Sequence, residues 1–112
     1  MLNNLPKITV ITIALNLIKN NRADLFKECV KSVLNQTYKN IEYIIQDGES
    51  DDGTIDFIRN CNKNNVFKFY SQKDNGIDEA YNNALSHASG KYVIFMNSDD
   101  CFYNDTVVEE CV

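Results

Sequence analysis

The sequence lacks an apolar run that could cross a bilayer. Its longest mostly apolar stretch covers Ile8 to Leu15, far short of the roughly 18 residues that a transmembrane helix requires. The N-terminal region has one basic residue, Lys7, and no small-residue cleavage site after an apolar run, so no signal peptide is predicted. We expect no membrane-spanning segment in this chain and a cytoplasmic location.

Basic residues are few and scattered. The chain has 11 Lys and Arg residues and 16 Asp and Glu residues, which gives a formal net charge of -5 and a pI near 4.7. A nucleic-acid-binding protein needs a basic stripe to neutralise phosphates, so that class is excluded. The acidic surplus leaves carboxylates available to hold a cation.

Several site motifs are also absent. The four cysteines are widely spaced and form no CxxC pair, which argues against a zinc site or a redox pair and favours reduced thiols packed as small hydrophobic residues. No G-x-G-x-x-G follows the first predicted strand and no G-x-x-x-x-G-K-[ST] occurs, so dinucleotide-binding folds and P-loop NTPases are disfavoured. Leu15-Asn16 stand where a receiver domain would carry an acidic pair.

Strands and helices alternate along the 112 residues. The first strand is β-branched and apolar on both faces, as expected for a strand buried on both sides of a parallel sheet. The predicted strands cover Ile8–Leu15, Ile41–Gln46, Val66–Tyr70 (nearer an edge) and Tyr92–Met96, and the predicted helices begin at Asp24, cover Thr54–Asn60 and Ile77–Ala88, and start again after Asn104. This order predicts an α/β domain with a mostly parallel sheet and helices on both faces.

Acidic or polar clusters follow three of the predicted strands. They cover Asp47–Gly53, Gln72–Gly76 and Asn97–Asp100. Ligands of open α/β sheets bind beyond the carboxyl ends of the strands, and hard divalent ions take oxygen ligands from carboxylates, water and phosphates. The sequence therefore predicts a metal-assisted phosphate or nucleotide site at this edge of the sheet.

Each cluster also has a purely local interpretation. The Asp47–Gly53 segment can serve as a turn followed by a helix N-cap, because Ser and Asp suit both positions. Lys73–Gly76 can be a simple turn, and Asp99 and Asp100 can cap the segment that follows them. The single histidine, His87, is interpreted as a surface residue near a helix C-terminus.

Five segments in the same order resemble the family 2 glycosyltransferases of GT-A fold. They are Ile8–Asn16, Ser32–Tyr38, Asn40–Thr54, Lys73–Ile77 and Gly90–Asp100. The resemblance implies a Rossmann-like GT-A fold, of which residues 1–112 form a single partial domain that binds the donor. It also implies transfer of a sugar, with inversion, from a UDP- or GDP-linked donor to a glycan or lipid-linked acceptor in polysaccharide or glycoconjugate synthesis.

The resemblance assigns roles to individual residues of this sequence. Asp47 matches an acid that hydrogen-bonds the nucleoside, and Asp99, in the DxD-type motif, matches the ligand of Mn²⁺ or Mg²⁺, with Asp100 as a second ligand. The implied donor-binding residues are Ala14, Leu15, Asn16, Asp47, Lys73, Asp74, Asn97 and Ser98.

The sequence departs from the family pattern in three places, one of them a pair of residues. Asn97 replaces an acid in the DxD-type motif, Leu15 replaces an aromatic residue, and Asp78-Glu79 replace an aromatic residue followed by an acid. The family's general base is a carboxylate further downstream, so we expect it beyond Val112. We therefore expect a truncated chain that is inactive alone, self-associates through surface left by the missing half, and in full length can lie at the inner face of the membrane.

Two other classes of function stay open at this point. One is a non-catalytic nucleotide- or metal-binding module of similar fold. The other is an interaction domain in which the acids serve only as caps. Nucleotide binding that requires a metal ion would favour the enzyme over both.

Overall fold

A computed structural model describes residues 5–111 of the chain, which form one four-stranded sheet flanked by helices. The strands are Ile8–Ala14 (β1), Ile41–Asp47 (β2), Lys68–Ser71 (β3) and Tyr92–Asn97 (β4). The helices are Ala23–Leu34 (α1), Thr54–Cys61 (α2), Ile77–Leu85 (α3) and Val107–Cys111 (α4). The predicted alternation of strands and helices is confirmed.

The sheet has the order β3-β2-β1-β4, and each neighbouring pair is parallel. Ile8 of β1 is in register with Ile41 of β2 on one side and with Tyr92 of β4 on the other. The third strand lies at an edge, as predicted. Because the chain runs from β1 outward to β3 and then returns to the opposite side of β1, the strand order reverses between β1 and β4, where α/β sheets bind ligands.

Helices cover both faces of the sheet, as the alternation predicts. Val10 packs in a core with Phe26 of α1 and Ile58 of α2, whereas the adjacent Ile11 packs with Ala84 of α3. Successive side chains of a strand point to opposite faces, so α3 lies on the face opposite α1 and α2. β1 is therefore buried on both sides, which explains its uninterrupted apolar sequence.

The differences from prediction lie at element ends and in exposed side chains. α3 ends at Leu85 rather than at Ala88, and the Leu85 side chain is exposed. Cys101 and Cys111 are exposed, so the prediction of packed thiols is wrong for these two and fits only the buried Cys29 and the half-buried Cys61. Cys101 and Cys111 follow β4, in a segment without the periodic apolar pattern that predicts packing.

The last helix begins later than predicted. The side-chain oxygen of Asn104 accepts a hydrogen bond from the backbone N–H of Thr106 at 2.9 Å, and α4 starts at Val107. Val112, the last position of the predicted helix, lies outside the described residues.

At Gly90, the loop before β4 approaches β1 too closely to leave room for a side chain. A Cβ atom there would lie 2.5 Å from Thr9 Oγ1 and 2.6 Å from the Thr9 backbone nitrogen. We expect Gly90→Ala to lower the free energy of unfolding by about 2 kcal/mol, because backbone must shift to relieve the contact. Urea unfolding followed by circular dichroism measures this change.

Gly48→Ala is the matched control for Gly90→Ala. Its Cβ would meet Asp74 Oδ2 at 2.7 Å, which is the mobile end of a side chain, so the expected loss is below about 1 kcal/mol. Equal losses for the two variants would show that the approach at Gly90 does not constrain the sheet.

Candidate functional site

A cleft of about 410 Å³ opens beyond the carboxyl ends of β1 and β4. Its wall includes six of the residues that the sequence predicts for the site: Ala14, Leu15, Asp74, Asn97, Ser98 and Asp99. They come from β1, from the loop between β3 and α3, and from the end of β4. The fold thus brings together, at one rim of the sheet, residues that are up to 85 positions apart in the chain.

Asp47 lies beside this cleft but does not line it. It is in register with Ala14, yet it is fully buried. Its Oδ1 accepts a hydrogen bond from Ser50 Oγ at 2.5 Å, and its Oδ2 accepts from Ser50 N at 2.8 Å and from Ser71 Oγ at 2.9 Å. In this arrangement Asp47 orders the loops that follow β2 and β3; its contact with a nucleoside stays a prediction.

Asn16 also orders loops at the rim. It adopts a left-handed backbone conformation (φ 51°), which Asn tolerates better than most residues. Its backbone N–H donates to Ser50 Oγ at 2.8 Å, and its side-chain oxygen accepts from the backbone N–H of Asp51 at 3.2 Å. The loop after β1 is therefore fastened to the loop after β2.

Asp52 provides a second connection between these loops. Its carboxylate accepts hydrogen bonds from the backbone N–H groups of Lys19, at 2.8 Å, and Thr54, at 3.1 Å. Desolvation alone would raise the pKa of Asp52, but these hydrogen bonds and one from the Thr54 hydroxyl hold it below its usual value. The predicted turn is thus present at Asp52, whereas the predicted side-chain cap is wrong, because the N-cap position of α2 is Gly53 and no side chain there caps the helix.

Asp99 is held by a charged partner, Arg22, that no sequence motif indicates. The guanidinium Nη1 of Arg22, at the start of α1, donates to Asp99 Oδ2, and both side chains line the cleft. The side chains of Arg22 and Asp99 are 45% and 37% exposed, so both remain accessible to a ligand. The two residues are 77 positions apart, and no local pattern signals the pair.

Asn97 is oriented by its neighbours on both sides. Its Oδ1 accepts a hydrogen bond from Tyr81 Oη at 3.2 Å, and its backbone N–H donates to Asp100 Oδ2 at 3.2 Å. Burial, with a smaller contribution from the negative charge of Asp100, raises the pKa of Tyr81, so the phenol stays protonated and donates. The side-chain nitrogen of Asn97 is then the group available to a ligand.

Four further residues discussed above belong to the segment between β3 and the first turn of α3, and of these only Asp74 lines the cleft. Asp74 Oδ1 accepts from the backbone N–H of Gly76 at 3.1 Å, which is the predicted turn. Lys73 is exposed and does not line the cleft. Asp78 and Glu79 lie in the first turn of α3, where acidic side chains complement the helix dipole.

The cleft suits a cation that is shared with a ligand. Within residues 5–111, no group of three or more His, Cys, Asp or Glu side chains is placed to hold a metal ion. Two carboxylates, Asp74 and Asp99, line the cleft. Mg²⁺ commonly binds through one or two carboxylates, with water and phosphate oxygens as its other ligands. The donor set therefore fits an ion held between Asp99 and a phosphate group.

No helix of the described segment has both the length and the apolar character needed to cross a bilayer.

Comparisons with known sequences match the chain to glycosyltransferases. The profile of glycosyl transferase family 2 matches residues 9–112. An uncharacterised glycosyltransferase of Rickettsia conorii is 39% identical over 87 residues, which are 78% of this chain and 14% of that protein. A Bacillus subtilis glycosyltransferase named for teichuronic acid biosynthesis is 34% identical over 112 residues, covering 98% of this chain and 42% of that protein. This chain thus spans less than half of each of these relatives.

Solved structures with a similar fold are also glycosyltransferases. A mannosyltransferase from Pyrobaculum calidifontis, in complex with GDP-Man and Mn²⁺, has a TM-score of 0.79 and 25% identity over 92% of this chain and 30% of its own. Staphylococcus aureus TarS, in complex with UDP-GlcNAc, has a TM-score of 0.77 and 23% identity, over 94% of this chain and 30% of its own. By the profile that covers nearly all of it, and with a fold that corresponds to part of these enzymes, the chain belongs to glycosyl transferase family 2 and has the GT-A architecture.

Proposed function

We propose that residues 1–112 are the donor-binding part of a metal-dependent, inverting glycosyltransferase. The observation that carries this proposal is the position of Asp99, which lines a cleft with Ala14 and Leu15 at the point where the strand order reverses. The relative with a similar fold that is complexed with GDP-Man and Mn²⁺ supports a nucleotide-sugar donor and a divalent ion.

Different side chains of the cleft hold different parts of the donor. The apolar surfaces of Ala14 and Leu15 pack against the base, and the side-chain nitrogen of Asn97 donates to a ribose hydroxyl. Asp99 would hold Mn²⁺ or Mg²⁺, whereas Asp100, the predicted second ligand, does not line the cleft and accepts a hydrogen bond from the Asn97 backbone N–H. The bound ion would stabilise the negative charge that the departing nucleoside diphosphate gains. Fixing the nucleotide in this way positions the sugar for attack.

We propose that the rest of the reaction belongs to a longer protein, because the chain spans less than half of the relatives described above. We place the general base and the acceptor site beyond Val112, in a protein that works in the cytoplasm, at the inner face of the membrane. The name of the Bacillus subtilis relative supports a role in polysaccharide synthesis. Accordingly, this chain alone is expected to release no nucleoside diphosphate from a nucleotide sugar in the presence of an acceptor. Sustained release would contradict the placement of the general base and the acceptor site beyond Val112.

Calorimetry with UDP and GDP, each with and without Mn²⁺, tests the proposal. We expect one nucleotide to bind about 100-fold more tightly with Mn²⁺, a free-energy gain of about 2.8 kcal/mol. Binding that is equally tight without metal would favour a non-catalytic nucleotide-binding module. If the folded chain bound neither nucleotide, the acids would act only as caps and the proposal would be wrong.

A further inference from the structure

In the contact between Arg22 and Asp99, the backbone of Arg22 is fixed but its side chain is not. The backbone of Arg22 is fixed, since its N–H donates to the Leu17 carbonyl at 2.8 Å and its carbonyl accepts from the Phe26 N–H at 2.9 Å. The guanidinium, by contrast, has Asp99 as its one hydrogen-bond partner within residues 5–111. The side chain can therefore leave the carboxylate without disturbing the start of α1.

A divalent cation at Asp99 would meet this guanidinium directly. The carboxylate cannot serve both partners at full strength, and two cations a few ångströms apart repel each other. A guanidinium released from Asp99 stays in the cleft, because its backbone is fixed at the cleft wall. Its planar donors suit phosphate oxygens, which a nucleoside diphosphate would bring to the same place.

We propose that Arg22 competes with the divalent cation for the Asp99 carboxylate and, once displaced, donates to the phosphates of the bound nucleotide. Arg22 thus opposes binding of the ion alone and favours binding of the ion together with the nucleotide. This role rests on the proposed function, because it needs Asp99 to be the ligand of the ion.

Opposite effects of one substitution on two ligands test this exchange. Arg22→Gln is expected to bind Mn²⁺ alone about fivefold more tightly, as expected when a competing exposed ion pair is removed. At saturating Mn²⁺, the same variant should bind UDP or GDP about tenfold more weakly, because a charge-assisted hydrogen bond to phosphate is lost. Free Mn²⁺ is measured by electron paramagnetic resonance, and nucleotide binding by calorimetry. Arg22→Lys, which keeps the charge, should lie between Arg22→Gln and the unsubstituted chain in both titrations.

Lys19→Gln is the matched control. It also removes one positive charge from the loop between β1 and α1, but Lys19 pairs at 3.9 Å with the exposed Asp51 rather than with Asp99. We expect it to change either affinity by less than about twofold. Circular dichroism checks that each variant is folded.

The outcomes separate this inference from the proposed function. Should Asp99→Asn leave Mn²⁺ binding unchanged, the proposed function fails and the exchange fails with it. If Asp99 is required but Arg22→Gln matches Lys19→Gln in either titration, the exchange alone is wrong. The exchange is supported only when Arg22→Gln strengthens ion binding and weakens nucleotide binding.

Discussion

Replacing Asp99 with Asn is expected to weaken nucleotide binding in the presence of Mn²⁺ by about 100-fold, because the ion loses its carboxylate ligand. The amide keeps the size of the side chain but carries no charge to hold a divalent ion. Without the ion, the phosphates lose the positive charge that neutralises them. Calorimetric titration of Asp99→Asn with and without Mn²⁺ measures the loss, and the two titrations should coincide.

The loss should not come from unfolding. Asp99 pairs with Arg22 in a partly exposed ion pair, and such pairs contribute at most about 1 kcal/mol to stability. Asp51→Asn is the matched control, since its side chain is 79% exposed and outside the cleft wall. A metal-dependent gain that survived in Asp99→Asn, or vanished in Asp51→Asn, would show that Asp99 is not the ligand.

The second large effect is expected on stability, at Glu42, which lies on the side of the molecule away from the cleft. This carboxylate is 7% exposed. Its Oε1 accepts hydrogen bonds from Thr9 Oγ1 at 2.9 Å and from Ser89 N at 2.8 Å, and its Oε2 accepts from Lys68 Nζ at 2.6 Å and Ser89 Oγ at 3.0 Å. Glu42 thus joins β1, β2, β3 and the loop before β4.

Glu42→Gln is expected to lower the free energy of unfolding by about 3 kcal/mol, because charged hydrogen bonds are lost from a buried position. The neutral amide cannot pair with the Lys68 ammonium, and its NH₂ group faces donors rather than acceptors. Glu28→Gln, at an exposed position of α1, is the control and should change stability by less than about 0.5 kcal/mol. Urea unfolding at neutral pH compares the two variants, and similar losses would contradict a structural role for Glu42.

The same carboxylate makes stability depend on pH. Burial would raise the pKa of Glu42, but Lys68, the Ser89 N–H and the hydroxyls of Thr9 and Ser89 lower it from 4.5 to about 2. A group whose pKa is lowered in the folded state stabilises it fully above the unfolded value and loses this effect as the pH falls toward the folded value.

We therefore expect stability to fall from about pH 4.5 to about pH 2, with Glu42 contributing about 3 kcal/mol of the loss. Glu42→Gln should show a correspondingly shallower fall over this range. Parallel curves for the two proteins would contradict the assignment. Thermal unfolding across this pH range provides the measurement.

Much of the fold follows from local patterns. The apolar, β-branched sequence of Ile8–Ala14 predicts a central strand that is buried on both faces of the sheet, and the short third strand is predicted near an edge of the sheet. The positions of Asp74 and Asp99 at the rim follow from their places after parallel strands. These features depend on the spacing of residue types, which the sequence displays directly.

What the sequence could not show depends on contacts between distant segments. The burial of Asp47 depends on Ser71, which is 24 positions away, and the partner of Asp99 lies 77 positions upstream. Both acids lie at or just after the carboxyl end of a strand and look alike in sequence. Asp47 is nevertheless enclosed by hydroxyl and amide donors, whereas Asp99 meets a guanidinium in an open cleft. Tyr81, in α3, orients Asn97 at the end of β4, and no sequence pattern predicts this contact.

A crystal structure of this chain with Mn²⁺ and the nucleoside diphosphate that binds it more tightly tests the central claim most directly. We predict that the ion is coordinated by the Asp99 carboxylate and by phosphate oxygens, with the base against Ala14 and Leu15. An ion bound without Asp99, or a nucleotide bound outside the cleft between β1 and β4, would contradict the account.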